Sequence, residues 1–370
     1  MKSLIIKSQK VNTLGSLDKR PHGVRRVSAV NRQEGVALIL VLVVIALATI
    51  IATQLITMRG IYSQRTSNMM QAENAWGYAV GAEQLARIAI NQALKNEDTV
   101  HLGQVWASQT VVFPIDGGQL TASLTDLRGC FNINMIGTQA GSAANPNNED
   151  QQQRQPVDNN KALPGQLVFQ NLLRFLLQQS TDPELAAIEP ELIAARLRDW
   201  IDTDSIPAGF EGAEDQDYMG FAQPYRAANQ KIVSVSELRT ISGFTPDLME
   251  LIEPYICVVP DNEDLIVNVN TIPVERAELL AAMYENMTPD TARGIIAARP
   301  AAGFEQADFD PQVPADAKLI RGVAIDFTSS YFAAMIEVQL GQTTTRLKSL
   351  LFYNKSGSAV QTLARLGHND

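Results

Sequence analysis

Residues 32–58 read RQEGVALILVLVVIALATIIATQLITM, and the step from Gly35 to Val36 divides the chain. From Val36 to Met58 there are 23 residues without a charge. A helix rising about 1.5 Å per residue carries them about 35 Å, enough to cross a hydrocarbon layer of ~30 Å. Upstream stand Lys2, Lys7, Lys10, Lys19, Arg20, Arg25, Arg26 and Arg32 against Asp18 and Glu34. The positive-inside rule therefore keeps the N-terminus cytoplasmic and predicts export of the rest. The apolar core of a cleavable signal peptide is only about 7–15 residues long, so the run fits a retained single-pass anchor better.

The net charge of −10 belongs to the exported body, since the leader before it is basic. That sign disfavours nucleic acid or an anionic lipid surface and favours proteins or cations as partners. Cys130 and Cys257 are the two cysteines, in GCFNIN and YICVVP. In an oxidising compartment they most simply form one disulfide, with two buried thiols as the other reading.

A basic leader ending in Gly, followed at once by an apolar helix, resembles the precursors of type IV pilins and type II secretion pseudopilins. The resemblance implies that a prepilin peptidase removes residues 1–35, cutting between Gly35 and Val36. Glu is usual at the fifth mature position of that family, whereas this chain has Leu40. In a fibre, that Glu neutralises the N-terminal amine of the preceding subunit, a charge costly to bury unpaired. A subunit that enters first has no predecessor and no need of it. The resemblance is thus to the K class of minor pseudopilins, which implies a subunit that initiates and caps the pseudopilus tip for export across the outer membrane. It also implies heteromeric association with other minor pseudopilins, an inner-membrane assembly platform, and tip contacts with the secretin or the exported cargo.

Beyond Arg59 the helical pattern continues to about Leu94, with Ala72, Ala75, Trp76, Ala79, Ala82, Leu85, Ala86 and Ile90 at spacings of three and four and no proline. QTVVFPI, a DGG turn, QLTASLTDL and CFNINMI follow as three adjacent antiparallel strands. Asn, Gln, Gly and Pro then crowd 137–165 and read as a loop. Helical periodicity returns to about Asp310, and alternation resumes in GVAIDFTSSYFAAMIEVQL and TTTRLKSLLFY. The fold class expected is α+β: a long N-terminal transmembrane helix and a pilin-like antiparallel sheet interrupted by a large helical insertion. The boundaries expected are a leader at 1–35, the membrane and spine helix at 36–95, a sheet from 96–136 plus 320–355, and an insertion at 137–319. Inside the insertion, Glu237-Leu238 before Thr245-Pro246-Asp247 is echoed by Glu278-Leu279 before Thr288-Pro289-Asp290. Thr as N-cap and Pro at the first helical position restart a helix in each copy. The pair, at about 165–260 and 266–310, resembles the SAM-like or helix-hairpin-helix modules of the K class. Neither copy has the glycine-rich hairpin and basic flanks that phosphate binding needs.

The stretch Asp199–Asp217, DWIDTDSIPAGFEGAEDQD, holds seven carboxylates and no Lys or Arg. Oxygen ligands on a Pro- and Gly-containing turn suit calcium, and zinc is disfavoured because no His or Cys is near. Ile206 and Pro207 exclude an EF-hand loop. By resemblance to the calcium loop of the K class, the expected ligands are Asp202, Asp204, Glu214, Asp215 and Asp217. The other reading is a solvated acidic loop.

Catalysis finds little support. The histidines are His22, His101 and His368, the first within the leader, and no nucleophile-elbow pattern flanks a serine. The reading from a different class is a membrane-anchored, calcium-dependent periplasmic hydrolase.

Overall fold

The computed structural model describes residues 36–95, 97–107, 110–137, 161–260, 262 and 264–367. The leader, Gly35 and most of the 137–165 loop lie outside the described residues. Helix α1 runs unbroken over Val36–Leu94, and its apolar first part lies in the smaller of two compact units, the chain passing from one to the other between Arg65 and Thr66. It is the one helix among the described residues long and apolar enough to cross a membrane.

In the larger unit, α1 presents Ala75, Ala79, Ala82, Ile90 and Leu94 to a sheet. Trp76 and Leu85, expected on the same face, stay exposed. Alanines at every third or fourth position let the strands approach closely, and that narrow stripe leaves the bulkier flanking residues outside. Strands β1 (Val111–Ile115) and β2 (Gly118–Asp126) form a hairpin. Its two-residue turn is Asp116-Gly117, with Gly117 at φ +80°, which glycine adopts freely.

CFNINMI departs from expectation. Only Phe131–Asn132 is extended (β3), and the chain then turns into a 3₁₀ helix at Ile133–Gly137. Strand periodicity is present, but its polar members face inward. Asn132 Oδ1 accepts the Val259 N–H (2.9 Å), and the Asn134 amide bonds both main-chain groups of Ile232. An alternating pattern reads the same whether its polar residues meet water or buried backbone.

The helices that follow are α2 (Pro164–Gln179), α3 (Pro183–Ala186), α4 (Pro190–Ile201), α5 (Asp215–Tyr218) and α6 (Pro246–Ile252). Strand β4 (Ile256–Cys257) pairs in parallel with β3. Next come β5 (Ile266–Asn268), α7 (Glu278–Ala282), β6 (Tyr284–Glu285), α8 (Pro289–Ala297), α9 (Gln306–Phe309), β7 (Lys318–Leu319) and β8 (Ala324–Asp326), with β5 and β8 parallel. Both echoed caps form: Thr245 Oγ accepts the Leu248 N–H and Thr288 Oγ the Thr291 N–H, each at 3.2 Å. These elements share one core, with Phe131 stacked on Phe169.

Strands β9 (Tyr331–Leu340), β10 (Thr343–Asn354) and β11 (Ala359–Gly367) complete the sheet in the order β1-β2-β9-β10-β11, antiparallel throughout. Strand β11 lies beyond the expected limit of 355. The pairing of β2 with β9 defines the architecture, because the whole helical insertion lies between two neighbours in one sheet. One face packs on α1 through Phe332, Ala334, Ile336, Val338 and Leu351. On the other, Ala333 and Leu350 pack with Leu127, Val259 and the Cys130–Cys257 disulfide, whose Cα atoms are 5.9 Å apart. The bridge thus ties the segment after β2 to β4 of the insertion.

A buried carboxylate fixes α1 to the sheet from the spine side. Glu83 is fully buried and accepts hydrogen bonds from Arg365 Nε (2.7 Å) and Nη2 (2.9 Å), Ser349 Oγ and Thr362 Oγ. All four donors come from β10 and β11. The sheet's C-terminal half is therefore held by one acidic side chain of the spine.

Candidate metal centre

The acidic stretch leaves the end of α4. Asp199, in the last turn, is buried, and its carboxylate accepts the main-chain N–H groups of Ala208 (2.9 Å) and Ala213 (2.8 Å). The loop therefore wraps around one side chain. Gly212 is required there, because a Cβ would stand 2.2 Å from Asp199 Oδ2. Burial, partly opposed by the two amides, pushes the Asp199 pKa up to about 6.

Asp202 follows as the C-cap of α4, its N–H bonded to the Arg198 carbonyl (2.9 Å). Its Oδ2 stands 3.8 Å from Arg198 Nε, and its Oδ1 is buried with no hydrogen-bond donor among the described residues. Asp204 closes a tight turn by accepting the Ile206 N–H on Oδ1 (2.8 Å). Glu214 enters from beyond the wrap, 4 % exposed, with neither carboxylate oxygen given a donor among the described residues.

These three residues converge: one carboxylate oxygen from each of Asp202, Asp204 and Glu214 lies within 4.8 Å of the others. Burial first, then the neighbouring acids, pushes Asp202 up to about 7 and Glu214 up to about 7. Oxygens bound 2.3–2.6 Å from one calcium ion stand at most about 5 Å apart, so the spacing suits a single ion. The orphaned buried oxygens fit that reading, since buried acceptors otherwise find donors.

Asp215 and Asp217, also expected as ligands, are placed elsewhere. Asp217 Oδ2 accepts the Glu214 N–H (3.0 Å) at the start of α5, and Asp215 Oδ1 accepts the Ala227 N–H (3.1 Å). One oxygen of each is thus bonded to a backbone amide, Asp217 to the start of its own helix and Asp215 to the later segment at Ala227, and neither joins the group that Asp202, Asp204 and Glu214 form. Asp199 was not among the expected ligands, and its role is to shape the loop. Behind the site, Trp200 packs edge-on against Tyr218 (5.3 Å) and donates Nε1–H to Glu237 (3.0 Å). Those contacts hold α4 and α5 together and so fix Glu214 relative to Asp202.

A long helix whose first part is apolar enough to cross a membrane, an antiparallel sheet laid on its second part and a helical insertion with an acidic pocket together define a pilin-like subunit of the pseudopilin class. The family profile described as "Type II secretion system (T2SS), protein K" matches residues 129–261 with its first-domain form and residues 267–324 with a second. The type II secretion system protein K of Aeromonas hydrophila is 34% identical over 334 residues, covering 89% of this chain and 96% of that one. Its counterpart in Pectobacterium carotovorum subsp. carotovorum is 33% identical over 345 residues, covering 90% and 96%. A chain solved in the GspK-GspI-GspJ complex of the enterotoxigenic Escherichia coli type 2 secretion system superposes with a TM-score of 0.67 at 26% identity, over 83% of this chain and 100% of that one. The chain belongs to the type II secretion system protein K family.

Proposed function

We propose that this minor pseudopilin starts and caps the pseudopilus: after removal of 1–35 its helix stays in the inner membrane, its body faces the periplasm, and the insertion crowns the fibre. The observation that carries the reading is the uninterrupted spine joined to a sheet with a bulky insertion between β2 and β9. Leu40 agrees with a subunit that has no predecessor. The similar Escherichia coli chain was solved together with GspI and GspJ, which supports other minor pseudopilins as partners here. The apolar groove formed by Gly77, Gly81 and Leu85 of α1 with Val105, Phe113 and Leu120 is the surface on which a neighbour's helix would lie. No side chain blocks close approach at either glycine.

Asp202, Asp204 and Glu214 would hold calcium, supplying charged oxygens to a cation that takes six to eight of them. Bound there, the ion would neutralise the crowded carboxylates and fix the wrap around Asp199. None of the relatives' names points to hydrolysis, so the hydrolase reading has no support from kinship.

The test is co-purification of the full chain with the other minor pseudopilins from native envelopes. Gly81→Leu should reduce their recovery several-fold while leaving the chain in the membrane. Undiminished recovery would remove the groove from the reading, and no recovery with the unaltered chain would remove the assembly role itself.

A further inference from the structure

We propose that Asn229 is a fourth member of the ion site, a neutral oxygen ligand that also braces the loop; this rests on the calcium reading above. Asn229 belongs to the segment between α5 and α6, remote in sequence from Asp204, yet its Nδ2 donates to the Asp204 main-chain carbonyl at 2.8 Å. A carbonyl only accepts, so the amide must turn its nitrogen that way, which fixes its other terminal atom as the oxygen. That Oδ1 is buried and has no hydrogen-bond donor among the described residues. It therefore shares the condition of Asp202 Oδ1 and both Glu214 oxygens.

Asn229 has φ +46°, a left-handed conformation that asparagine tolerates and glycine adopts freely. Two further observations point to a ligand role. One oxygen of Asp204 is committed to the Ile206 N–H, leaving the three carboxylates short of the six to eight oxygens calcium takes. They already carry three negative charges against two positive. A neutral amide oxygen adds coordination without adding repulsion, and bracing the Asp204 main chain from a second segment sets the reach of the Asp204 carboxylate.

Calcium titration calorimetry on the full chain in detergent tests this, using the unaltered protein, Asn229→Gly and Asn229→Asp. Glycine keeps the left-handed backbone and removes the amide, whereas aspartate keeps an oxygen and removes the donor. Loss of a ligand with a bracing role predicts affinity at least ~10-fold weaker for Asn229→Gly, and binding within about threefold of the unaltered protein, or tighter, for Asn229→Asp. Melting in chelator should fall only slightly for Asn229→Gly, by the one lost bond to Asp204; if the glycine variant fails to fold, Asn229→Ser takes its place, with affinity at least ~10-fold weaker expected and unchanged affinity overturning the proposal. Unchanged affinity of Asn229→Gly overturns the proposal and leaves the calcium reading standing. Equal weakening in both variants overturns the ligand role. No calcium heat from the unaltered chain overturns the metal reading and this inference together.

Discussion

At the scale of single residues, competition between a cation and the backbone for carboxylate oxygens decides what the acidic loop can do. Asp202 Oδ1 and both Glu214 oxygens are buried acceptors without a donor among the described residues, so removing charge there should matter most. Replacing Asp202 and Asp204 together with Asn should abolish calcium stabilisation of the full chain, read as coincident melting curves in calcium and in chelator. Protonation gives a second expectation. Folded Asp202 and Glu214 titrate near 7, above their unfolded values, so without calcium their contribution is fully present below about pH 4 and is lost as pH rises through about 7. Calcium should remove that loss and release protons on binding near neutral pH, measurable as a dependence of binding heat on buffer ionisation enthalpy. Magnesium, which keeps its waters and demands a regular octahedron, should substitute poorly. Crowding without a basic residue marked the whole of Asp199–Asp217, and resemblance to the K class singled out five of its acids, of which the fold brings Asp202, Asp204 and Glu214 together. Asp215 and Asp217 carried the same signal, because nothing in composition tells which acids will bond backbone amides, Asp217 that of Glu214 and Asp215 that of Ala227. Asn229 carried none, since its part depends on a contact between distant segments.

At the scale of elements, the spine was legible from an unbroken apolar and helical run, and the β1-β2 hairpin from its Asp-Gly turn. The pairing of β3 with β4 was not, because it is set by buried asparagines bonding main chain far away in sequence. The disulfide stands beside that pairing. It closes a separation of 127 residues, for which the chain-entropy model gives roughly 4–5 kcal/mol. Replacing both cysteines with Ala should cost about 2–5 kcal/mol in chemical denaturation of the full chain. An unchanged midpoint would show the β3–β4 junction to be held by packing alone. Glu83 plays the corresponding part for α1. Glu83→Gln takes the anion from Arg365, which at 43 % exposure stays solvated, so the expected loss is about 1.5–3 kcal/mol, that of hydrogen bonds to a charged group. Denaturation and rapid proteolysis between β10 and β11 would report it, whereas an unaltered midpoint would assign the junction to the alanine stripe.

At the scale of the whole molecule, processing and topology meet. The proposed cut between Gly35 and Val36 is checked by the intact mass of membrane-extracted protein, and Gly35 replaced by a bulky residue should leave the leader attached. A mature N-terminus well downstream of Val36 would remove the chain from the processed pseudopilins. The pairing of β2 with β9 has a consequence for timing. The chain emerges from its membrane end, so α1 and the β1-β2 hairpin arrive long before β9, β10 and β11 exist. Until they do, β2 keeps an open edge and the alanines of α1 lack most of their cover, whereas the insertion already has every strand and helix of its own core. Contacts between remote segments form late, since loop closure must precede them. The insertion should therefore mature first and carry the two halves of the sheet together. A chain ending at Phe327 should retain a protease-resistant insertion with its disulfide while losing the sheet, and the unpaired edge of β2 is where such an unfinished molecule would be captured by another.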